Sequence, residues 1–193
     1  MPAPRRMMMA AAGVSTPVEA TFETSQVDTT DTGSPLTFSG VDLGDAAANR
    51  HIVVGVGVSW GGSAQVSGVT VGGQSATEII EVGLAGQKAS LHIAAVPTGA
   101  TGDIVITTTG TGESWGIGVW RLIGANATPD DTASSTADPM VDTINCPAGG
   151  VIIGYAHAQN GNTHTWTNLT EQFDETTEGS FQHTGAFDTF AAT

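Results

Sequence analysis

Residues 52–60 read Ile-Val-Val-Gly-Val-Gly-Val-Ser-Trp, a run in which almost every position is apolar or glycine. A strand with one face in water alternates apolar and polar side chains, so this run predicts a central β-strand that is covered on both faces. Residues 115–123 (Trp-Gly-Ile-Gly-Val-Trp-Arg-Leu-Ile) predict a second such strand. Its glycines stand where a facing backbone or an aromatic ring can approach closely. Strands of this kind require either two covering layers or a partner molecule.

Short β-type segments separated by turn residues continue on both sides of these two strands. They comprise residues 18–24, 66–71, 76–82, 89–96, 103–109, 140–144, 150–158 and 163–170, with a last strand within 180–192. Gly72 and Gly73 predict a hairpin, because paired glycines supply the positive φ angles of a tight turn. This spacing is typical of a sandwich or barrel. We therefore predict an all-β fold, an antiparallel β-sandwich of jelly-roll or immunoglobulin-like type, over residues 17–193.

One internal echo adds to this prediction. Residues 52–55 (Ile-Val-Val-Gly) are matched by residues 151–154 (Val-Ile-Ile-Gly). The match predicts two strands in equivalent, fully covered positions of two sheets. Trp115 and Trp120 lie five positions apart on one strand, so they are expected to face opposite sides of the sheet.

The composition excludes several classes of protein. Five Lys and Arg against nineteen Asp and Glu give a formal charge of −14 over 193 residues, which argues against nucleic acid as a partner. No stretch approaches the apolar length of a membrane span, so no membrane insertion is expected. Cys146 is the only cysteine, which excludes an intrachain disulfide and predicts a buried, inert thiol.

Residues 1–16 differ from the rest of the chain and predict an N-terminal anchoring arm. Arg5 and Arg6 are followed by Met7, Met8 and Met9 and then by three alanines. Unbranched Met side chains fit irregular apolar grooves, so this arm is suited to dock on another surface, with a short helix over residues 7–12. A disordered tail and a signal peptide are the alternative interpretations.

No motif in the chain predicts a catalytic site, a metal site or a cofactor. It has no Gly-x-Ser-x-Gly turn and no phosphate-binding loop. His157 and His164 flank a predicted hairpin loop and could face each other, but a hydrogen-bonded histidine is the preferred interpretation. Asp130, Asp131 and the carboxylates of residues 171–178 lie in loop-like polar stretches, where solvated charge or calcium binding are the options.

Two tryptophans lie beside predicted loops rather than in the middle of strands. Trp60, Trp166, Asn160 and Asn162 form our candidate site for contact with a ligand or receptor. A ring face next to amide groups suits binding to a sugar or a protein. Packing against the core is the alternative role for these rings.

The chain resembles a group of small virion proteins of tailed bacteriophages. The resemblance rests on residues 66–77 (Val-Ser-Gly-Val-Thr-Val-Gly-Gly-Gln-Ser-Ala-Thr), 96–105 (Val-Pro-Thr-Gly-Ala-Thr-Gly-Asp-Ile-Val) and 116–125 (Gly-Ile-Gly-Val-Trp-Arg-Leu-Ile-Gly-Ala), and covers residues 50–175. The basic, Met- and Ala-rich start is similar to the starts of short tail-fibre and particle-surface proteins. The resemblance implies a β-sandwich attached to the particle, with no catalytic residues.

These observations together predict a non-enzymatic virion structural protein, anchored by its arm and presenting an acidic sandwich outward, in a tail fibre or other host-recognition position. A capsid decoration protein is one alternative, and a secreted carbohydrate-binding or adhesin domain is another. The expected partners are other virion proteins and a host-surface glycan or protein. The two strands that are apolar on both faces also predict a homo-oligomer, with a trimer favoured.

Overall fold

The structure is a computed structural model that describes residues 16–30, 33–59, 65–84, 86–110, 112, 114–136, 141, 143–159, 164–179 and 181–191. The strands are β1 (Glu19–Asp28), β2 (Leu36–Asp42), β3 (Arg50–Ser59), β4 (Val66–Val71), β5 (Gln74–Ser75), β6 (Thr77–Leu84), β7 (Gln87–Ala95), β8 (Thr101–Thr108), β9 (Ser114–Ile123), β10 (Val151–Gln159), β11 (Thr170–Glu178) and β12 (Phe181–Thr189). The described part of the chain has no helix long and apolar enough to cross a membrane.

The strands form three antiparallel sheets. The central sheet has the order β1-β9-β3-β7-β6, the four-stranded sheet has the order β2-β8-β4-β5, and the three-stranded sheet has the order β10-β12-β11. Val54 of β3 faces the core against the four-stranded sheet, whereas its neighbour Val53 faces the core against the three-stranded sheet. The predicted all-β antiparallel sandwich is confirmed, and the central sheet is covered on both faces.

The third sheet explains the two-faced strands. Trp115 packs in the core against the four-stranded sheet and Trp120 packs in the core against the three-stranded sheet, both fully buried. The predicted opposite orientation of these rings is confirmed. Because the covering layers come from the same chain, these strands no longer supply a reason for an oligomer. The homo-oligomer itself stays a prediction.

Three segments differ from the sequence-based expectation. Residues 164–169, which we predicted as a strand, are irregular, and the described residues of the predicted strand 140–144 also lie in a loop. Conversely, β11 and its acidic side chains fall in a stretch that we predicted as a polar loop. Only Phe173 and Thr177 of β11 are buried, so its sequence lacks the apolar signal of a strand. We also did not predict β2.

The predicted equivalence of the two echoed segments is wrong. β3 lies in the middle of the central sheet and is buried along almost its whole length. β10 is an edge strand of the three-stranded sheet and is mostly half-buried. A four-residue apolar run can serve either position because it reports local hydrophobicity and carries no information on strand order. The anchoring arm and its predicted helix, including Arg5, Arg6, Met7, Met8 and Met9, lie outside the described residues.

Candidate functional site

The central sheet presents a platform of glycines to the three-stranded sheet. Gly55 pairs with Gly118, and Gly57 pairs with Gly116, across β3 and β9. The four glycines therefore lie side by side, and their missing side chains let aromatic rings rest directly on the backbone. These rings belong to Tyr155, His157, Phe173 and His183. The predicted close approach of rings to the glycines of the second two-faced strand is confirmed.

A row of polar side chains crosses the three-stranded sheet above this platform. His157, His183 and Glu175 occupy directly opposite positions on β10, β12 and β11. His183 Nε2 lies 3.2 Å from Glu175 Oε2, and His183 Nδ1 lies 3.2 Å from the Tyr155 hydroxyl. Ser25 Oγ of β1 donates a hydrogen bond of 2.8 Å to Glu175 Oε1. The row therefore ties the three-stranded sheet to the edge of the central sheet.

Groups of these types can serve in general acid–base catalysis, but here they are closed off. The hydrogen bond with His183 holds the pKa of Glu175 below its usual value, and burial raises the pKa of Tyr155 well above its usual value. His183 is fully buried, whereas the Glu175 side chain is 41% exposed. In this arrangement a solute can contact the Glu175 carboxylate but not the imidazole, so the row functions as a hydrogen-bonded link between sheets.

His157 is the unusual member of the row. Its ring stacks on Phe181 with 5.8 Å between centroids and 4° between planes. Neither ring nitrogen has a hydrogen-bond partner among the described residues. Burial, followed by the nearby His183 and His164, lowers the pKa of His157 to about 3. The ring is therefore a neutral packing element at ordinary pH.

We expect stability to fall between pH 6.5 and 5 because two buried histidines stay neutral in the folded chain. Burial lowers the pKa of His92 to about 4 and that of His157 to about 3, whereas an unfolded histidine has a pKa of about 6.5. Below pH 6.5 these histidines bind protons in the unfolded chain but not in the folded chain. Each histidine therefore lowers the free energy of unfolding by up to about 1.4 kcal/mol for every pH unit of acidification. Above pH 6.5 this cost is absent.

Urea unfolding at several pH values measures the change in the free energy of unfolding with pH. Measurements are kept above pH 5, where carboxylates titrate little and contribute little to this change. His157→Phe keeps a flat ring and should reduce the slope by up to one proton. An unchanged slope in the variant would contradict the buried, neutral state of His157. A chain in which His92 alone is replaced supplies the matched comparison.

The option that His157 and His164 face each other across a hairpin is wrong. The preferred interpretation, a hydrogen-bonded histidine, is confirmed for His164, whose Nδ1 lies 3.4 Å from Asp174 Oδ1, and is wrong for the His157 ring. β10 pairs with β12, so no β10–β11 hairpin exists. The His164 backbone N–H donates 2.7 Å to Asp174 Oδ2, and Asp174 faces away from the side of the sheet on which Glu175 and His157 lie. In the described part of the chain, no group of three or more His, Cys, Asp or Glu residues is arranged to hold a metal ion.

Of the four candidate ligand-contact residues, only one lies in the described part of the chain. Trp60, Asn160 and Asn162 lie outside it. Trp166 is half-buried on the outer face of the three-stranded sheet, and its Nε1–H donates 2.9 Å to Thr184 Oγ1. A Cβ on Gly154 would lie 2.5 Å from the Trp166 ring. The observed contacts of Trp166 are thus those of a packing residue.

A groove that the sequence did not reveal lies beside the three-stranded sheet, with a volume of about 310 Å³. Its floor consists of apolar side chains of the central sheet, namely Val53, Ile79, Leu91, Ile93 and Leu122. Three of them, Val53, Ile93 and Leu122, are buried. Val151 and Ile153 of β10 form one wall. The loop between β9 and β10 covers the groove with residues 124–126, 128–133 and 144–150. A cavity of this size with an apolar floor suits a small apolar ligand or a short apolar peptide.

Two features of the groove concern its rim. Thr16 and Val18, the first part of the described chain, line one end, where the Val18 N–H donates 2.8 Å to the Gly149 carbonyl. Cys146 lines the wall near Asp130. Burial raises the pKa of its thiol, and the Asp130 carboxylate adds to this effect. The groove escaped sequence analysis because its floor comes from four strands and its cover from a loop, so no local pattern marks it.

These features define an antiparallel, all-β sandwich of three sheets with a closed polar row and an apolar groove. Comparison with protein-family models, with curated proteins and with solved structures finds no match. The resemblance to virion proteins of tailed bacteriophages therefore stays a prediction.

Proposed function

We propose that this chain is a non-enzymatic structural protein of a tailed-bacteriophage particle. Its N-terminal arm attaches it to other virion proteins, and the acidic sandwich projects outward in a tail fibre or other host-recognition position. The observation that best supports this proposal is the distribution of positive charge along the chain. The cations of the described body are paired within it, so the arm is the part of the chain suited to bind an acidic neighbour.

Every cation of the described chain is already engaged. Arg50 is 1% exposed and donates only to backbone carbonyls. Lys88 Nζ lies 3.0 Å from Glu81 Oε1, and Arg121 binds Glu19 and Glu23, each at 3.0 Å. The chain has five Lys and Arg in all, so the remaining two are Arg5 and Arg6 of the arm. The whole chain has a net charge of −14, so neighbouring copies repel one another, and the two arginines of the arm offset part of this repulsion on assembly.

The closed polar row favours a structural role over an enzymatic one. A catalytic acid or base must reach its substrate within hydrogen-bond distance. His183 is fully buried, and the Tyr155 hydroxyl donates to the Gly116 carbonyl and lies 3.2 Å from His183 Nδ1, so both groups are held between two sheets. The expected partners remain other copies of the chain, other virion proteins and a host-surface glycan or protein.

Immunogold labelling of particles from the source culture tests the proposal. Antibodies raised against the purified full chain should label the particle, and labelling at the tail supports host recognition. Labelling of the head would instead support capsid decoration. A chain found only free in the medium or on cells would contradict the proposal and favour a secreted adhesin.

A second test uses the arm. Deletion of residues 2–13 should leave the circular dichroism spectrum of an all-β protein unchanged, because every described strand begins at Glu19 or later. The truncated chain should nevertheless be missing from purified particles. Full incorporation of a folded, truncated chain would contradict attachment through the arm.

A further inference from the structure

The order of strands along the chain divides this molecule into two units. Both sheets of the main sandwich lie within residues 19–123, and the three-stranded sheet, residues 151–189, follows as a cover over the glycine platform. We infer that this cover leaves the sandwich as a unit when the medium becomes acidic, and that His157 drives its release. Release is a property of the isolated chain, so it does not rest on the proposed function.

The central and four-stranded sheets are interleaved, whereas the cover is not. The chain crosses repeatedly between the two interleaved sheets, and the single residue Ala76 joins β5 of one to β6 of the other, so these sheets cannot move apart while their strands stay paired. In contrast, β10, β11 and β12 are consecutive and pair with one another. Residues 124–150 connect them to β9. The cover can therefore leave without breaking a ladder of backbone hydrogen bonds.

The contacts between the cover and the central sheet are weaker than those inside the sandwich. Most residues of β10 and β11 are only half-buried or exposed. A sheet of three strands needs a packed apolar face to hold its strands together, so the cover should lose its own hydrogen bonds once it leaves. In the described part of the chain, the hydrogen bonds between the two sheets run through side chains, from Ser25 to Glu175, from Ser114 to Thr177 and from Tyr155 to the Gly116 carbonyl.

His157 lies at the contact between the cover and the platform. Its residue exposure is 9%, and a Cβ on Gly57 would lie 2.7 Å from its Nδ1. Phe181 of the cover stacks on the ring. Neither ring nitrogen has a hydrogen-bond partner among the described residues. A proton that binds to this ring therefore finds no acceptor in place.

The described strands in contact with β10 present no carboxylate to the His157 ring. From the central sheet, β3 and β7 present Gly57, Ser59 and Ala89, none of which titrates near neutral pH. From the cover, His183 of β12 lies directly opposite, and both His183 and His164 lower the pKa of His157. The other titratable groups on this face are Tyr155 and Glu175, and Glu175 is hydrogen-bonded to His183 and Ser25.

Detachment of the cover relieves this arrangement. A protonated imidazole must reach water or an acceptor, and the His157 ring reaches water when the cover leaves the platform. Release also uncovers Trp120, which is fully buried in the core between the cover and the central sheet. Acid therefore exposes an apolar surface that stays hidden at neutral pH.

Hydrogen exchange of the full chain, followed by mass spectrometry, tests whether the cover opens by itself. β12 and β8 are matched segments, because each is paired with a strand on both sides. At pH 7.5 the protection factor of β12, corrected for intrinsic exchange rates, should be at least about tenfold lower than that of β8, which exchanges only through global unfolding. This comparison needs no substitution. Equal protection of the two strands would overturn the inference.

The pH dependence of the same measurement tests the role of His157. From pH 7.5 to 5.5 the protection factor of β12 should fall about tenfold, because the ring has a pKa of about 3 in the closed chain and about 6.5 after release. His157→Phe keeps a flat ring that does not titrate, so it should remove this fall. A fall of the same size in the His157→Phe chain would overturn the role of His157.

His92→Phe is the matched control. His92 is also buried, but it lies opposite Val54, on the face of the central sheet that packs against the four-stranded sheet. Its replacement should therefore leave the fall in the protection of β12 unchanged. Loss of that fall in the His92→Phe chain would show that acid opens the whole molecule and would overturn the inference.

Discussion

Replacement of Gly55 by valine is expected to destabilise the chain by at least about 4 kcal/mol, a large part of the roughly 5–15 kcal/mol by which a typical domain is stable. A Cβ at this position would lie 2.3 Å from Cδ2 and 2.6 Å from Cγ of Tyr155. The Tyr155 ring cannot withdraw freely, because its hydroxyl donates 3.0 Å to the Gly116 carbonyl. Valine adds two further methyl groups to the clash, so the central and three-stranded sheets must separate.

Alanine variants provide the matched comparison for this prediction. Gly68→Ala adds the same methyl group on β4, where no atom lies within 4 Å of the added Cβ, and it should change the free energy of unfolding by less than about 1 kcal/mol. Gly55→Ala should cost several times more in the same urea titration. Equal costs at the two positions would show that the rings do not rest on the glycine platform.

Arg50→Leu is expected to have an effect of similar size, about 4 kcal/mol or more, for a different reason. The Arg50 guanidinium is 1% exposed. It donates hydrogen bonds of 2.6–3.2 Å to the carbonyls of Leu43, Gly44, Val96, Thr98 and Gly99. Leucine leaves these carbonyls without their donors, and the loops that follow β2 and β7 lose their common anchor.

A second arginine calibrates the measurement. Arg121→Leu removes two ion pairs, one with the largely exposed Glu19 and one with the mostly buried Glu23. It takes no donor from a backbone carbonyl, so it should cost less than Arg50→Leu. Arg50→Lys should fall between the two leucine variants, because an ammonium group keeps the charge but has only three donors. A cost for Arg50→Leu no greater than that for Arg121→Leu would contradict the anchoring role.

Several features of this molecule could be predicted from local sequence because they depend on the alternation of side chains. The run of apolar residues and glycines at 52–60 indicates a strand covered on both faces, and the structure places its residues 52–59, which belong to β3, at the centre of the central sheet. The spacing of Trp115 and Trp120 placed their rings on opposite faces. The two glycines of the β4–β5 turn have φ angles of 55° and 78°, as the hairpin prediction requires.

Other features could not be predicted, because they depend on contacts between distant segments. β11 carries few buried residues and reads as a polar loop, yet β12 pairs with it and makes it a strand. Residues 164–169 contain Trp166 and Leu169, which pack on Gly154, so their apolar side chains serve to cover a sheet. Local hydrophobicity cannot distinguish apolar residues that form a strand from apolar residues of a loop that cover one.

The sequence alone determined the all-β class, most of the strand positions, the acidic body and the distinct arm, because composition and side-chain periodicity express them within a few residues. Only the tertiary structure decided that a third sheet covers the second face of β3 and β9, that Gly55 meets Tyr155, and that an apolar groove remains at the edge of β10. Each of these depends on which strands become neighbours. Strand order depends on packing between segments that lie far apart in the chain, so no short stretch of sequence reveals it.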